Sequence, residues 1–252
     1  YAFINRYLEV SGDYAGVSLL RLYTVYHALI RAKIAAIRAV ERADDIERQQ
    51  DREETAHYCA VARHWVESRA PCLMIMHGFS GSGKTWLSQQ LMLRLPAIRV
   101  RSDLERKRVA GLQEMERSDS PVAQGLYSPE ARTGVYTRLA SLAETILAAG
   151  HNVIVDAAFL DRAQRDRFHD LARRSGREFV IVSASATREE LHRRLQRRSH
   201  VGDDPSEADI AVLGYQLENA DALGVDERDG AIEVATDGDV DIDRLISERF
   251  PG

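Results

Sequence analysis

The stretch Gly78-Phe79-Ser80-Gly81-Ser82-Gly83-Lys84-Thr85 has residue types and spacing suited to holding phosphate. It fits the pattern G-x-x-x-x-G-K-[ST]. Glycines let the backbone wrap closely around an anion with its N–H groups turned inward. Lys84 supplies an ammonium for the β- and γ-phosphates, and the Thr85 hydroxyl is a candidate Mg²⁺ ligand. A helix starting here points its positive dipole end at the same anion. Gly78, Ser80, Gly81, Ser82, Gly83, Lys84 and Thr85 are therefore the expected ATP-binding residues. Three further groups could complete the chemistry. Asp156 ends the apolar run Val153-Ile154-Val155 and is a candidate to hold Mg²⁺, directly or through water, or to touch substrate. Asp103 follows Arg101-Ser102 and could take the proton from an acceptor hydroxyl; Ser102 or Asp103 could also cap the helix that follows. Arg106, one helical turn later, could hold a polar or anionic acceptor. Arg194 and Arg198 are four residues apart on one helix face and could neutralise charge on a transferring phosphoryl group.

These groups need a scaffold, and the chain after Pro71 supplies one. Apolar runs predict strands at Cys72–His77, Ala97–Arg101, Asn152–Asp156, Glu178–Ala184 and Ala231–Thr236. Helical stretches alternate with them: Lys84–Leu95, Leu104–Gly111, Glu130–Ala149, Arg162–Ser175, Thr187–Arg198 and Ser206–Ala220. This alternation predicts an α/β domain with a mostly parallel five-stranded sheet and helices on both faces. Asp103 and Asp156 then fall at strand ends, where such sheets gather their ligands. The arginine-rich helix, the polar stretch Ser199–Glu207 and the next helix suggest a lid near residues 188–207. Before Pro71 the pattern is helical only. Leu19, Leu20, Leu22, Tyr23, Tyr26, Leu29, Ile30, Ile34 and Ile37 recur at helical spacing. The charge-dense run Glu41–Glu54 reads as a helix end or connection, and a second helix is expected near Arg52–Arg69. The expected division is a helical segment 1–70 and a P-loop domain 71–252.

Composition bounds the function. The 252 residues are 44% hydrophobic and 29% charged, which excludes a disordered or low-complexity chain. A net charge of −5 argues against a dedicated nucleic-acid binder. Two cysteines, Cys59 and Cys72, cannot build a disulfide framework; they are expected buried and fit a reducing, cytoplasmic setting. No stretch of eighteen uncharged apolar residues predicts a membrane span. The acidic run Asp237, Asp239, Asp241, Asp243 has Ile242 where a calcium loop needs glycine, so it reads as a turn and helix cap. A GTPase base-reading Asn/Thr-Lys-x-Asp is missing, and no strand ends in the Asp-Glu of a motor ATPase. The chemistry implied is transfer of a γ-phosphoryl group from Mg²⁺-ATP to a hydroxyl of a small molecule. Two alternatives stand beside it: a nucleotide-binding regulatory module, and a polynucleotide 5′-hydroxyl kinase.

Gly78–Thr85, Arg101-Ser102-Asp103-x-x-Arg106-Lys107, Val153–Phe159, Arg194-Leu195-x-x-Arg198 and Asp204-Pro205-Ser206-Glu207-Ala208 together resemble the P-loop kinases grouped with zeta-toxin, gluconate-kinase and polynucleotide-kinase domains. The resemblance implies Asp103 as base, Arg106 as an acceptor contact, and Arg194 and Arg198 as lid residues. Thr85-Trp86 departs from the Ser-Thr common in relatives and puts a bulky ring in the first helical turn. The front segment, Tyr1–Glu9, Gly12-Asp13-Tyr14 and Tyr23–Lys33, resembles the last helices of an aminoglycoside-phosphotransferase-like domain. That resemblance implies a partner domain upstream in the same polypeptide, and the opening Tyr1 fits a piece of a longer protein.

Overall fold

The computed structural model describes residues 1–67, 70–114, 116, 125, 128–201 and 209–250. The chain forms two compact units: Tyr1–Gly12 with Pro71–Gly252, and Asp13–Ala70. This differs from the expected boundary after residue 70, because the first helix goes with the P-loop unit. The reason lies in two residues of that helix, α1 (Ala2–Ser11). Asn5 and Glu9 are four apart on one face and both are buried.

In the P-loop unit the described strands are β1 (Cys72–His77), β2 (Ala97–Arg101), β3 (Asn152–Asp156), β4 (Glu178–Ser185) and β5 (Ile232–Ala235). They form one sheet in the order β2-β3-β1-β4-β5, and every pairing is parallel. Parallel strands need crossovers, and helices provide them. These are α4 (Lys84–Arg94), α5 (Ser102–Val109), α6 (Pro129–Ala148), α7 (Arg162–Arg174), α8 (Arg188–Val201), α9 (Ile210–Asn219) and α10 (Val225–Arg228); α11 (Ile242–Arg249) follows β5. The five expected strands and the α/β class are thus as observed, with ends shifted by a residue or so. Strand residues alternate between two layers. Met74, Met76, Ile154, Val182 and Val234 pack with Leu87 and Leu91 of α4 and Ile242 of α11. Leu73, Ile75, Val153 and Val155 are fully buried on the other side, where α6 and α7 cover the sheet. Asp241 caps α11 by accepting from Arg244 N, as expected of the acidic run.

β2 is an edge strand, and α1 closes that edge. Asn5 Nδ2 donates to Ala97 O (3.0 Å), and its Oδ1 accepts from Arg99 N (2.6 Å). One amide side chain thus takes up two backbone groups of the edge in place of another strand.

The unit Asp13–Ala70 is a pair of helices, α2 (Val17–Glu41) and α3 (Asp45–Val66), after a short 3-10 turn. Ala28, Ala32, Ala35 and Ala39 form the buried stripe of α2 and Ala62 that of α3; small residues let two backbones approach. The larger residues of the expected stripe, Leu22, Tyr23, Tyr26, Leu29, Ile34 and Ile37, are exposed. The charge-dense run is mostly helix rather than a connection: Asp44 caps α3, and Arg38 and Arg42 of α2 pair with Asp51. Cys59 is exposed, contrary to expectation, while Cys72 is buried. No described helix is long and apolar enough to cross a membrane.

Candidate functional site

β1 runs straight into the glycine loop, and its last turn toward α4 sets the loop's shape. Gly78, Gly81 and Gly83 all have positive φ (138°, 84° and 84°). At Gly78 glycine is obligatory for a second reason: a Cβ there would lie 2.2 Å from Ala184 O. Lys84 Nζ donates to Phe79 O (2.7 Å), so its ammonium sits over the loop. Burial lowers the Lys84 pKa to about 8; Asp156 opposes the drop and Arg198 adds to it. Ser82 Oγ is buried without a hydrogen-bond partner among the described residues. An orphaned hydroxyl, inward-opening glycines and a desolvated ammonium are what an anion with several oxygens would satisfy.

A cavity of about 730 Å³ opens above the loop. Most of the expected residues meet there: Ser80, Gly81, Gly83, Lys84, Thr85, Asp103, Arg106, Asp156, Arg194 and Arg198 line it. Tyr215 and Gln216 of α9 line it too. Gln216 Oε1 accepts from Ser80 N (2.8 Å), so α9 reaches the loop backbone.

The strand ends deliver the carboxylates. Arg101 of β2 lies in register with Asp156 of β3. Burial raises the Asp156 pKa; Arg99 and Arg101 pull it back, Asp103 adds to the rise, and Lys84 opposes it. Asp156 Oδ2 accepts from Ser88 Oγ (2.9 Å), a residue one turn into α4. Asp103 is held on both oxygens: Oδ2 by Arg101 Nη2 (2.7 Å) and Oδ1 by Leu104 N (2.9 Å). It is not the cap expected for the following helix. The N-cap of α5 is Arg101, with no side-chain cap bond.

Arg194 differs from an open lid residue. Its Nη1 donates to Gly81 O (3.2 Å) and Thr236 Oγ1 (2.9 Å), its Nη2 to Thr236 O (2.6 Å), and its Nε to Glu190 (2.6 Å). Thr236 Oγ1 in turn donates to Ser82 O (2.8 Å). In this arrangement Arg194 latches the glycine loop to the end of β5. Residues 202–208 of the expected lid, with the Asp204–Ala208 element, lie outside the described residues.

Several site residues escaped the sequence reading. Arg99 is buried, donating to Glu9 Oε1 (2.7 Å), Thr85 O (3.3 Å) and Ser88 Oγ (3.3 Å). A signal existed: Arg99 and Arg101 alternate in an otherwise apolar strand, so both point to one face of a buried sheet. Phe159, just past Asp156, is buried at φ 48°, packed edge-on between Tyr136 and Phe168. Arg165 anchors the same loop from α7, donating to Phe159 O (3.0 Å) and pairing with Glu227 (2.6 Å). His77, at the end of β1, hydrogen-bonds Ser183 Oγ (2.9 Å); burial, with Arg165 and Lys84, lowers its pKa to about 4.

Could the site take Mg²⁺? Among the described residues no three His, Cys, Asp or Glu side chains cluster to hold a metal by themselves. Thr85 and Asp156, lining one cavity, fit a cation that takes its remaining oxygens from water and phosphate.

A parallel sheet in the order β2-β3-β1-β4-β5, with a glycine loop joining β1 to α4, defines a P-loop kinase-type fold. The chain belongs to the AAA_33 family, described as an AAA domain, whose model matches residues 73–223. Over 210 residues it is 25% identical to the uncharacterized protein Rv2004c of Mycobacterium tuberculosis, covering 83% of this chain and 41% of that protein. The chain thus spans less than half the length of the curated relatives it matches. Among solved structures, a putative kinase from Chloroflexus aurantiacus aligns with a TM-score of 0.53 at 21% identity, over 71% of this chain and 97% of that one. Chaetomium thermophilum Kti12 in complex with ADP-AlF3 aligns with a TM-score of 0.54 at 14% identity, over 71% and 95%. At these identities the structural likeness is one of fold.

Proposed function

We propose that this domain is a kinase that transfers the γ-phosphoryl group of ATP to a hydroxyl of a small molecule. The observation that carries the reading is one cavity lined together by the glycine loop, two strand-end carboxylates and arginines of α5 and α8. Loop amides and Lys84 hold the phosphates. Thr85 and Asp156 hold Mg²⁺, which when bound neutralises phosphate charge and orients the transferred group. Asp103 accepts the acceptor's proton as the new O–P bond forms and the bond to the β–γ bridging oxygen breaks, releasing ADP. Arg106 orients the acceptor. Arg198 faces the phosphates beside Lys84, and Arg194 keeps the loop in its binding shape. The acceptor is a free small molecule, and a covalently linked upstream domain is the proposed partner of the helical segment.

One feature favours a second reading, a nucleotide-binding regulatory module. Both Asp103 oxygens already accept a hydrogen bond within the protein, so an acceptor hydroxyl would have to share an oxygen with Arg101 or the Leu104 N–H. Asp103→Asn separates the two. For a kinase the variant keeps ATP affinity within about threefold but loses at least about 100-fold in transfer rate, as expected for removal of a general base. A variant as active as the wild type would remove the base assignment. ATP binding with no transfer to any sugar, nucleoside or polyol would favour the regulatory module.

A further inference from the structure

The buried pair Glu9–Arg99 has no part in the reading above, yet it ends on the carboxylate proposed to hold the metal. Glu9 lies on α1, and the whole unit Asp13–Ala70 separates that helix in sequence from the glycine loop. In space the two are linked by three residues. Glu9 Oε1 accepts from Arg99 Nη2 at 2.7 Å, with both side chains more than nine-tenths buried. Arg99 Nη1 reaches Thr85 O and Ser88 Oγ, each at 3.3 Å. Ser88 Oγ stands 2.9 Å from Asp156 Oδ2 and 3.0 Å from Thr85 O, and the carboxylate is the stronger acceptor for its one proton. The chain Glu9–Arg99–Ser88 therefore arrives at both proposed metal-site residues, at Thr85 through its carbonyl and at Asp156 through its side chain. Asn5, one turn earlier on α1, fixes the backbone of Arg99 from the same face.

Charge explains why Glu9 is needed. A buried guanidinium takes whatever carboxylate is close, because an unpaired charge in the interior is costly. Arg99 is already near enough to Asp156 to favour its ionised form. With Glu9 as its partner, Arg99 leaves Asp156 to a hydroxyl. Without Glu9, Asp156 is the carboxylate to which Arg99 turns, and a carboxylate clamped by a guanidinium is lost to a cation. We propose that Glu9 is a positioning residue of the nucleotide site: it holds Arg99 away from Asp156 and so keeps that carboxylate available to Mg²⁺. The proposal rests on the kinase reading of Asp156. It also makes α1 a working part of the P-loop unit and not an appendage before it.

The test is equilibrium binding of a non-hydrolysable ATP analogue, by titration calorimetry on the full chain, in Mg²⁺ and in EDTA. Outer residues that orient metal ligands are worth roughly 10–100-fold in metal affinity. Glu9→Gln is expected to weaken binding in Mg²⁺ about tenfold and to change binding in EDTA by less than about twofold. Glu9→Asp, which keeps the charge, is expected to recover most of the loss. Adding Arg99→Met to Glu9→Gln removes the unpaired cation and is also expected to restore Mg²⁺-dependent binding; it keeps the question answerable if the single variant folds poorly. Equal weakening in Mg²⁺ and EDTA would mean a structural role only, and no weakening in either would mean no role; both overturn the proposal while leaving the kinase reading in place. A wild-type chain that binds the analogue equally with and without Mg²⁺ would overturn the metal role of Asp156 and this inference with it.

Discussion

Lys84 offers a sharp test because the charge that suits it to phosphate burdens the nucleotide-free fold. Its pKa falls from 10.5 to about 8 in the folded protein, mainly through burial, so the ammonium is a liability until phosphate arrives. That drop corresponds to about 3 kcal/mol against the folded state at pH 7, where both folded and unfolded chains carry the proton. The side chain retains some contact with water, which screens part of this cost, and Lys84→Met would also leave Phe79 O without its donor, at about 1 kcal/mol. The nucleotide-free Lys84→Met variant is therefore expected to be more stable than the wild type at pH 7 by roughly 1–2 kcal/mol. The difference depends on pH in a fixed direction. Because the folded pKa is the lower one, the penalty holds below pH 8 and is relieved as pH rises from 8 toward 10.5, so the variant's advantage shrinks across that window. The assay is urea unfolding at pH 7 and pH 10, followed by Trp86 fluorescence. Trp86 lies in α4 beside Lys84, and a Trp65→Phe background leaves it the sole tryptophan of two. Nucleotide binding should be lost in the same variant. A Lys84→Met protein less stable than the wild type at pH 7, or a difference that does not change with pH, would refute the reasoning.

Two further outcomes test the scaffold. Gly78→Ala would place a methyl 2.2 Å from the Ala184 carbonyl oxygen at a φ of 138°, so it should cost at least about 3 kcal/mol in urea unfolding or prevent folding of the P-loop unit. Arg165→Met strips the fully buried partner from Glu227, which keeps Arg162 at 3.2 Å, and should cost about 1.5–3 kcal/mol at pH 7. Burial alone would raise the Glu227 pKa, but Arg165 and the Gly224 N–H hold it below its usual 4.5. A carboxylate with a depressed folded pKa stabilises above its unfolded value and loses that contribution in acid, so the gap between wild type and Arg165→Met should narrow below pH 4.5.

The strands and the glycine loop were legible because each is a local pattern: an apolar run between turn signals, and a fixed spacing of glycines before Lys-Thr. Asp103 and Asp156 were legible one step later, since a parallel sheet carries its strand ends to one cleft. What escaped depends on contacts between distant segments. Nothing near Glu9 marks it as the partner of Arg99, and Asn5 closing the edge of β2 leaves no trace in its own neighbourhood. The alternation Arg99–Arg101 is visible in the sequence, but the partners of Arg99 on α1 and α4 are not. On α2 the large apolar residues looked like the packing face, whereas the smaller alanines pack, because two long helices approach most closely where side chains are shortest. Arg194 lines the cavity, but its latch to Thr236 depends on the end of β5, which local sequence does not connect to α8.

The central claim is phosphoryl transfer at the cavity above the glycine loop. Its most direct measurement is incubation of the full chain with γ-³²P-labelled ATP, Mg²⁺ and a panel of sugars, polyols and nucleosides, alongside Lys84→Ala. A labelled small-molecule product is expected with the wild type and none with the variant. Label transferred equally by Lys84→Ala, or ATP bound by the wild type with no labelled acceptor across the panel, would contradict it.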